Sequence, residues 1–421
     1  MARFGRLFVL SALLLSIPPA LCAEEPPPTR LDDLLPAFLE NNPEIRAAQY
    51  RFEAATKRPP QAGALPDPVL LLSDFGVGRP FSSLNVSDFA YRGIGISQEI
   101  PFPGKRGLAA EEAQREADSE RDSYRAVVLE KTAQLKSAYY DWFYVTKAVE
   151  ITSKNRDLLG RLEQIARARY AVGRGILADV LKAQVEVSRL VQQLERLEQR
   201  KSVIEARMRL LLNSETVLTR AAVIRQSPFS LQLSAVLEIA ESQSPRLQAA
   251  RARIESRAVG IDRARREYRP DFNVSFQWLK TGSQFPDYYM AAAEVRLPVH
   301  FSRKQRLGLE EAEARFQESR YLYEAERQEL VFEVRDKYFA VLTSERLLAL
   351  YESGIIPQSS TALESALAGY EVGNIDFLTL LDNAATLRNY EMQYYEELAN
   401  HERALAELEA LVGMELGGSQ P

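Results

Sequence analysis

The sequence is poor in the residues that usually carry chemistry. In 421 residues it has one cysteine, Cys22, and two histidines, His300 and His401. A lone thiol excludes an intrachain disulfide and any cysteine-rich metal site. Neither histidine has a histidine partner at helical spacing, so the zinc-protease pattern is excluded too. No phosphate-binding loop and no glycine-rich dinucleotide fingerprint occurs. Met208, Met290, Met392 and Met414 do not cluster, which leaves no thioether site for copper(I). Carboxylates are numerous, but on long helices they read as solvated faces rather than as an acid–base pair. The expectation is no enzyme, no cofactor and no metal centre.

Long hydrophobic runs are missing as well. The apolar stretch Leu7 to Ile17 is too short to span a bilayer, which takes about 20 helical residues. Arg3 and Arg6 before it and Ala20 and Ala23 after it make residues 1–23 a secretory signal. Cleavage after Ala23 would remove Cys22. Acylation of Cys22 is the competing reading, against which Leu21 stands where a small residue is expected. A net charge of −5, 26% charged residues and no basic cluster argue against nucleic acid. The mean hydropathy of −0.25 suits helices open to water.

What the chain does have is a repeat. Tyr170-Ala-Val-Gly173 is followed by a long apolar-periodic helix, and 200 residues later Tyr370-Glu-Val-Gly373 is followed by another. Each glycine reads as the turn at the tip of a helical hairpin. The chain therefore divides into a tail (24–30), a first module (31–213), a linker (214–229), a second module (230–414) and a C-terminal tail (415–421).

Each module opens with a short helix entered through Asn42-Pro43 or Ser244-Pro245, where Asn or Ser would cap and Pro would take the first helical position. Strand-like sequence follows, near 69–78 and 89–100 in the first module and near 272–279 and 288–297 in the second. The alternation is cleanest at Phe272, Val274, Phe276 and Trp278, with Asn273, Ser275 and Gln277 between them. Strands of about ten residues match the length that crosses a bilayer when tilted. Four strands cannot close a barrel, and open edges in lipid leave backbone groups unpaired, so several chains would have to share one.

After the strands the pattern turns helical. Gly104 to Arg169 would extend about 100 Å as one helix. The returning helices carry coiled-coil seams, interrupted at the equivalent positions Lys201 and His401. These interruptions read as register features or small water-facing breaks, not as ligands.

Two modules of helix, strand, strand, long helix, Tyr-x-Val-Gly and helix resemble the TolC-type outer-membrane efflux channels across essentially the whole mature chain. Asp179, nine residues after Tyr170, matches an acid of that family. Leu65-Pro-Asp-Pro-Val69 and Gln98-Glu-Ile-Pro-Phe-Pro-Gly-Lys105 resemble its heavy-metal-exporter branch. The resemblance implies a mainly α fold with a β-barrel portion: long antiparallel coiled-coil hairpins, and four transmembrane strands per chain closing a twelve-stranded barrel as a homotrimer. It implies an outer-membrane location with a periplasmic helical tunnel, a periplasmic adaptor protein, and an inner-membrane pump of the resistance–nodulation–division type.

It also implies site roles. Phe272, Val274, Phe276 and Trp278 would face lipid. Tyr170, Gly173, Arg174, Gly175, Gly373, Asn374 and Ile375 would form the tips that meet the adaptor. Tyr370 would hydrogen-bond Asp179 to hold the gate, and Asp382 would keep one acidic ring at the pore, with Asp376 as a substitute for a second. Two positions depart from the family pattern: Ile375 stands where an arginine is common, and Thr379 where an aspartate is. A periplasmic coiled-coil scaffold or adhesion protein is the alternative that the helices alone would allow.

Overall fold

The computed structural model describes residues 28–417 except 83, 85, 86, 216, 217 and 220. The expected signal and residues 24–27 and 418–421 of the two tails lie outside the described residues.

Three short helices open the first module: α1 (Leu31–Asn41), α2 (Pro43–Thr56) and α3 (Arg58–Gly63). Asn42 starts α2 as the sequence suggests. Its Oδ1 accepts from the amides of Glu44 and Ile45 at 3.0 and 3.1 Å, while its Nδ2 donates to the Leu211 carbonyl at 2.9 Å. Strands β1 (Val69–Phe75) and β2 (Tyr91–Ile100) follow, then the 67-residue helix α4 (Lys105–Ala171) and its return, α5 (Leu177–Leu212).

The second module repeats the order with α6 (Leu233–Gln243), α7 (Pro245–Arg266), β3 (Asp271–Lys280) and β4 (Tyr288–Arg296). Here Ser244 departs from expectation. It is fully buried, its hydroxyl caps nothing, and its Oγ has no hydrogen-bond partner. Close packing dominates this corner: a Cβ on Gly413 would lie 2.9 Å from both the Gln243 carbonyl and Pro245 Cδ.

The long helix of this module is broken by a π turn. Helix α8 (Gln305–Leu350) runs through Tyr351–Ile355 into α9 (Ile356–Val372), and α10 (Phe377–Val412) returns. Pro357 lies just beyond the π turn. Proline has no amide to give the carbonyl four residues back and its ring crowds that carbonyl, so a locally widened helix relieves the clash.

The four strands form one antiparallel sheet in the order β1-β2-β3-β4, so the modules meet by pairing β2 with β3. The register sets Phe272 opposite Ile100, Phe276 opposite Ile96 and Trp278 opposite Ile94. Lys105 fastens this sheet to the helices. Its buried ammonium bridges Glu267 at 3.2 Å and Asp271 at 3.0 Å, and Asp271 also accepts from the Phe102 amide.

No single core holds a body this elongated. One cluster surrounds Trp142 and Phe143 with Phe38, Met208 and Leu398; a second joins α6, α7, α8 and α10 around Val236, Val334 and Leu408. A third lies toward the tips and includes Tyr370, Phe377 and Leu380.

His401 corrects the seam reading. Lys201 is half-buried, but His401 is completely buried, with Nδ1 3.1 Å from Glu402 Oε1 and Nε2 unpartnered. It cannot be a water-facing break. The first module's helix lies at the surface here, whereas the second's is enclosed, so positions equivalent in sequence are not equivalent in burial.

Candidate functional site

The hairpin tips are built from one turn used twice. In the first, Gly173 donates to the Tyr170 carbonyl at 3.0 Å and Arg174 to that of Arg169 at 2.9 Å. In the second, Gly373 donates to Tyr370 at 3.0 Å and Asn374 to Gly369 at 2.8 Å. Gly173 and Gly373 have φ of +73° and +86°, the left-handed region that closes a helix C-terminus. Arg174 and Asn374 are exposed, while Gly175 and Ile375 are half-buried. A Cβ on Gly175 would lie 3.1 Å from the Tyr170 amide nitrogen, so the residue is needed small.

The two tyrosines part company. Tyr170 is 47% exposed; Tyr370 is 4% exposed, its ring 5.4 Å from that of Phe377. Burial pushes the Tyr370 phenol up, the Arg169 cation opposes this, and the Asp179 carboxylate adds to it. Asp179 is thus near enough to act on the phenol, yet no hydrogen bond joins them in this chain, contrary to the sequence expectation. The ring is covered instead by Arg169, whose guanidinium carbon lies 4.6 Å from its centroid and whose Nη1 donates to the Tyr370 carbonyl. Sequence reasoning missed Arg169. The signal was its pairing by the repeat with Gly369, the largest difference in side chain between the two turns.

The acids expected at the gate fall into different surroundings. Asp376 is the N-cap of α10, accepting from the Thr379 amide at 2.7 Å, and that bond holds its carboxyl below the usual range. Asp382 is exposed on a groove of about 470 Å³ between α5 and α10. Leu181, Val185 and Leu378 supply its apolar wall, with Lys182 and Arg388 among its charges. Ile375 packs over Gly369, where an added Cβ would lie 2.7 Å from its Cδ1. The residue standing at the arginine position is therefore a packing knob.

The other end is the sheet. Phe272, Val274, Phe276 and Trp278 are between 36% and 48% exposed, with Leu70, Leu72, Ile94, Ile96, Tyr289 and Val295 also exposed. By register these residues share one face. The opposite face is polar and tied across strands: Ser97 donates to Asn273 at 2.8 Å, Asn273 to Glu294 at 3.2 Å, and Arg296 to Glu99 at 2.8 Å. A soluble sheet buries its apolar face, and this one turns it outward. Among the described residues no helix is long and apolar enough to cross a membrane.

These features agree with known proteins. The family model described as outer membrane efflux protein matches residues 34–214 and 236–414, which take in both hairpins and all four strands. The chain is 23% identical over 420 residues to the cobalt-zinc-cadmium resistance protein CzcC of Cupriavidus metallidurans, covering 94% of this chain and 93% of CzcC. It is 26% identical over 318 residues to protein CyaE of Bordetella pertussis, covering 70% of this chain and 66% of CyaE. Its fold matches the outer membrane protein VceC of Vibrio cholerae with a TM-score of 0.77 at 18% identity, over 92% of this chain and 96% of VceC. Matched in both modules, the chain belongs to the outer membrane efflux protein family and is an efflux channel subunit of the outer membrane.

Proposed function

We propose that three copies of this chain form a passive conduit from periplasm to exterior, the outer-membrane part of a tripartite efflux system. The outward apolar face of the four-stranded sheet carries this reading. One chain leaves β1 and β4 with free edges, and lipid offers their amides and carbonyls no partner, at a cost of several kcal/mol per group. Pairing β4 of one copy with β1 of the next removes every edge, and three copies close a twelve-stranded barrel. The helices then continue as a periplasmic tunnel that narrows at the hairpin tips.

The tips would meet a periplasmic adaptor, and the energy would come from an inner-membrane pump of the resistance–nodulation–division type. Similarity to a cobalt-zinc-cadmium resistance protein favours divalent metal ions as cargo, with small toxic compounds as the other class. The subunit would be their conduit and not their binder. At the tips, the buried Tyr370 would help hold the closed state, while Asp382, and Asp376 beside it, would set the charge of the entrance.

Fractionation tests the assembly. The expected result is a heat-resistant trimer in the outer-membrane fraction, and a soluble monomer in the periplasm would overturn it. Plating a deletion strain on cobalt, zinc and cadmium tests the cargo, with growth restored by the intact gene as the expected outcome.

A further inference from the structure

Arg169 occupies the last turn of α4, in the first hairpin, but both of its contacts are in the second. Its guanidinium lies over the Tyr370 ring and donates to the Tyr370 carbonyl, one of the last carbonyls of α9. Its Nη2 lies 3.4 Å from where a Cβ on Gly373 would be, so the arm rests against the turn itself. Among the described residues it has no carboxylate within ion-pairing distance. The cation is held by a ring face and by the negative end of a helix, the two uncharged features that attract one.

The repeat shows that this arm is one-way. The residue equivalent to Arg169 is Gly369, and the Ile375 side chain fills the space beside it. Any side chain at 369 would displace Ile375, so α9 sends no matching arm toward Tyr170, which stays half exposed. The first hairpin grips the second, and nothing grips back.

We propose that Arg169 is the positioning residue that latches the two hairpin tips together, doing from the first module what Ile375 cannot do from the second. The proposal rests on the tip being the gate, but the contact itself is a property of one chain. Losing it frees the C-terminal turn of α9 and uncovers Tyr370, so the tips part more readily. The ring contact and the charge-assisted hydrogen bond together are worth about a tenfold change in the ratio of closed to open tips.

The test uses the full-length protein with Arg169→Ala, Arg169→Lys, Tyr370→Leu and the Arg169→Ala/Tyr370→Leu double variant. Conductance in planar bilayers reads the gate, and hydrogen–deuterium exchange reads the contact. Arg169→Ala should raise conductance and speed amide exchange at residues 366–376, leaving exchange around Trp142 at the wild-type rate. Arg169→Lys, which keeps the cation but not the fork, should recover part of both. The double variant should open less than the sum of the two single effects, because Tyr370→Leu already removes the ring contact and leaves Arg169 only the carbonyl of residue 370 to hold. Unchanged tip exchange in Arg169→Ala overturns the latch, as does additive opening in the double variant. Faster exchange spread evenly over the chain also overturns it, because that is a folding defect. Should the wild type conduct nothing, the channel reading fails by itself, and tip exchange still decides whether Arg169 joins the hairpins.

Discussion

Glu402 takes two hydrogen bonds from one residue, Ser227: from its amide at 2.7 Å and from its hydroxyl at 2.8 Å. Ser227 belongs to the segment that links the modules, and Glu402 is buried on α10, so the carboxylate pins the linker to the second hairpin. Replacing Glu402 by leucine leaves the Ser227 amide and the buried His401 Nδ1 without this partner and should cost about 1–3 kcal/mol. Ser227→Ala loses only the hydroxyl bond and should cost about 0.5–1.5 kcal/mol. Unfolding in detergent, followed by circular dichroism, would rank the two. Equal losses would mean that neither the amide bond nor the His401 contact adds to stability.

A second buried charge sits where the strands join the helices. The Lys105 side chain is 8% exposed and serves Asp271, which is 20% exposed, and Glu267, which is 53% exposed. Lys105→Met leaves Asp271 with only the Phe102 amide. The loss should be about 2 kcal/mol, below the 3–5 typical of a wholly buried pair because Glu267 turns to water. Limited proteolysis should then cut faster near residues 101–104 and 267–271, and an unchanged pattern would deny the clamp.

How far the sequence could be read follows from the range of each interaction. The alternation at Phe272–Trp278 is a two-residue period, and the tip glycines are required by a local backbone conformation, so both show in a single chain. The Asn42 cap was legible for the same reason. Ser244 was not, because its corner is enclosed by Gly413, far along the chain, which packs against Gln243 and Pro245 on either side of it. His401 was read by symmetry with Lys201, and symmetry fails where the second hairpin is enclosed and the first is not. Arg169 depends on the relative position of two hairpins, which no local pattern carries.

The sheet face gives a direct membrane prediction. Val274 points outward at 48% exposure, and Ser275 points to the half-buried polar side. Val274→Lys should impair insertion by about 2–4 kcal/mol if the site lies near mid-bilayer, whereas Ser275→Lys should be tolerated. The measurement is the amount of each variant recovered in the outer-membrane fraction. Equal recovery would reverse or erase the face assignment.

Docking of the adaptor can be mapped by crosslinking. Arg174 and Asn374 are the exposed residues next to the turn glycines, so cysteines there should crosslink to the adaptor in cells. Gly175 is a poorer probe, because a Cβ would press on the Tyr170 amide. Failure at both Arg174 and Asn374, with the protein present and trimeric, would move the contact away from the tips.

The two acids proposed for the entrance can be separated because one of them has a second task. Asp376 caps α10 through the Thr379 amide, which lowers its carboxyl from an ordinary value of 3.8. A lowered pKa means that the cap's contribution is present above that ordinary value and fades as pH falls through the lower, folded one. At neutral pH the cap is therefore fully formed. Asparagine caps a helix about as well as aspartate, so Asp376→Asn removes the charge and keeps the helix start, while Asp376→Ala removes both. Asp382 makes no such bond and stands exposed on its groove. Three copies around an axis would bring three like charges together, a ring that attracts cations and holds a divalent ion. In planar bilayers Asp382→Asn should weaken cation selectivity and relieve divalent block, and Asp376→Asn should do so less. Asp376→Ala should in addition speed amide exchange at the start of α10. Unchanged selectivity and block in the Asp376→Asn/Asp382→Asn double variant would take both residues out of the gate.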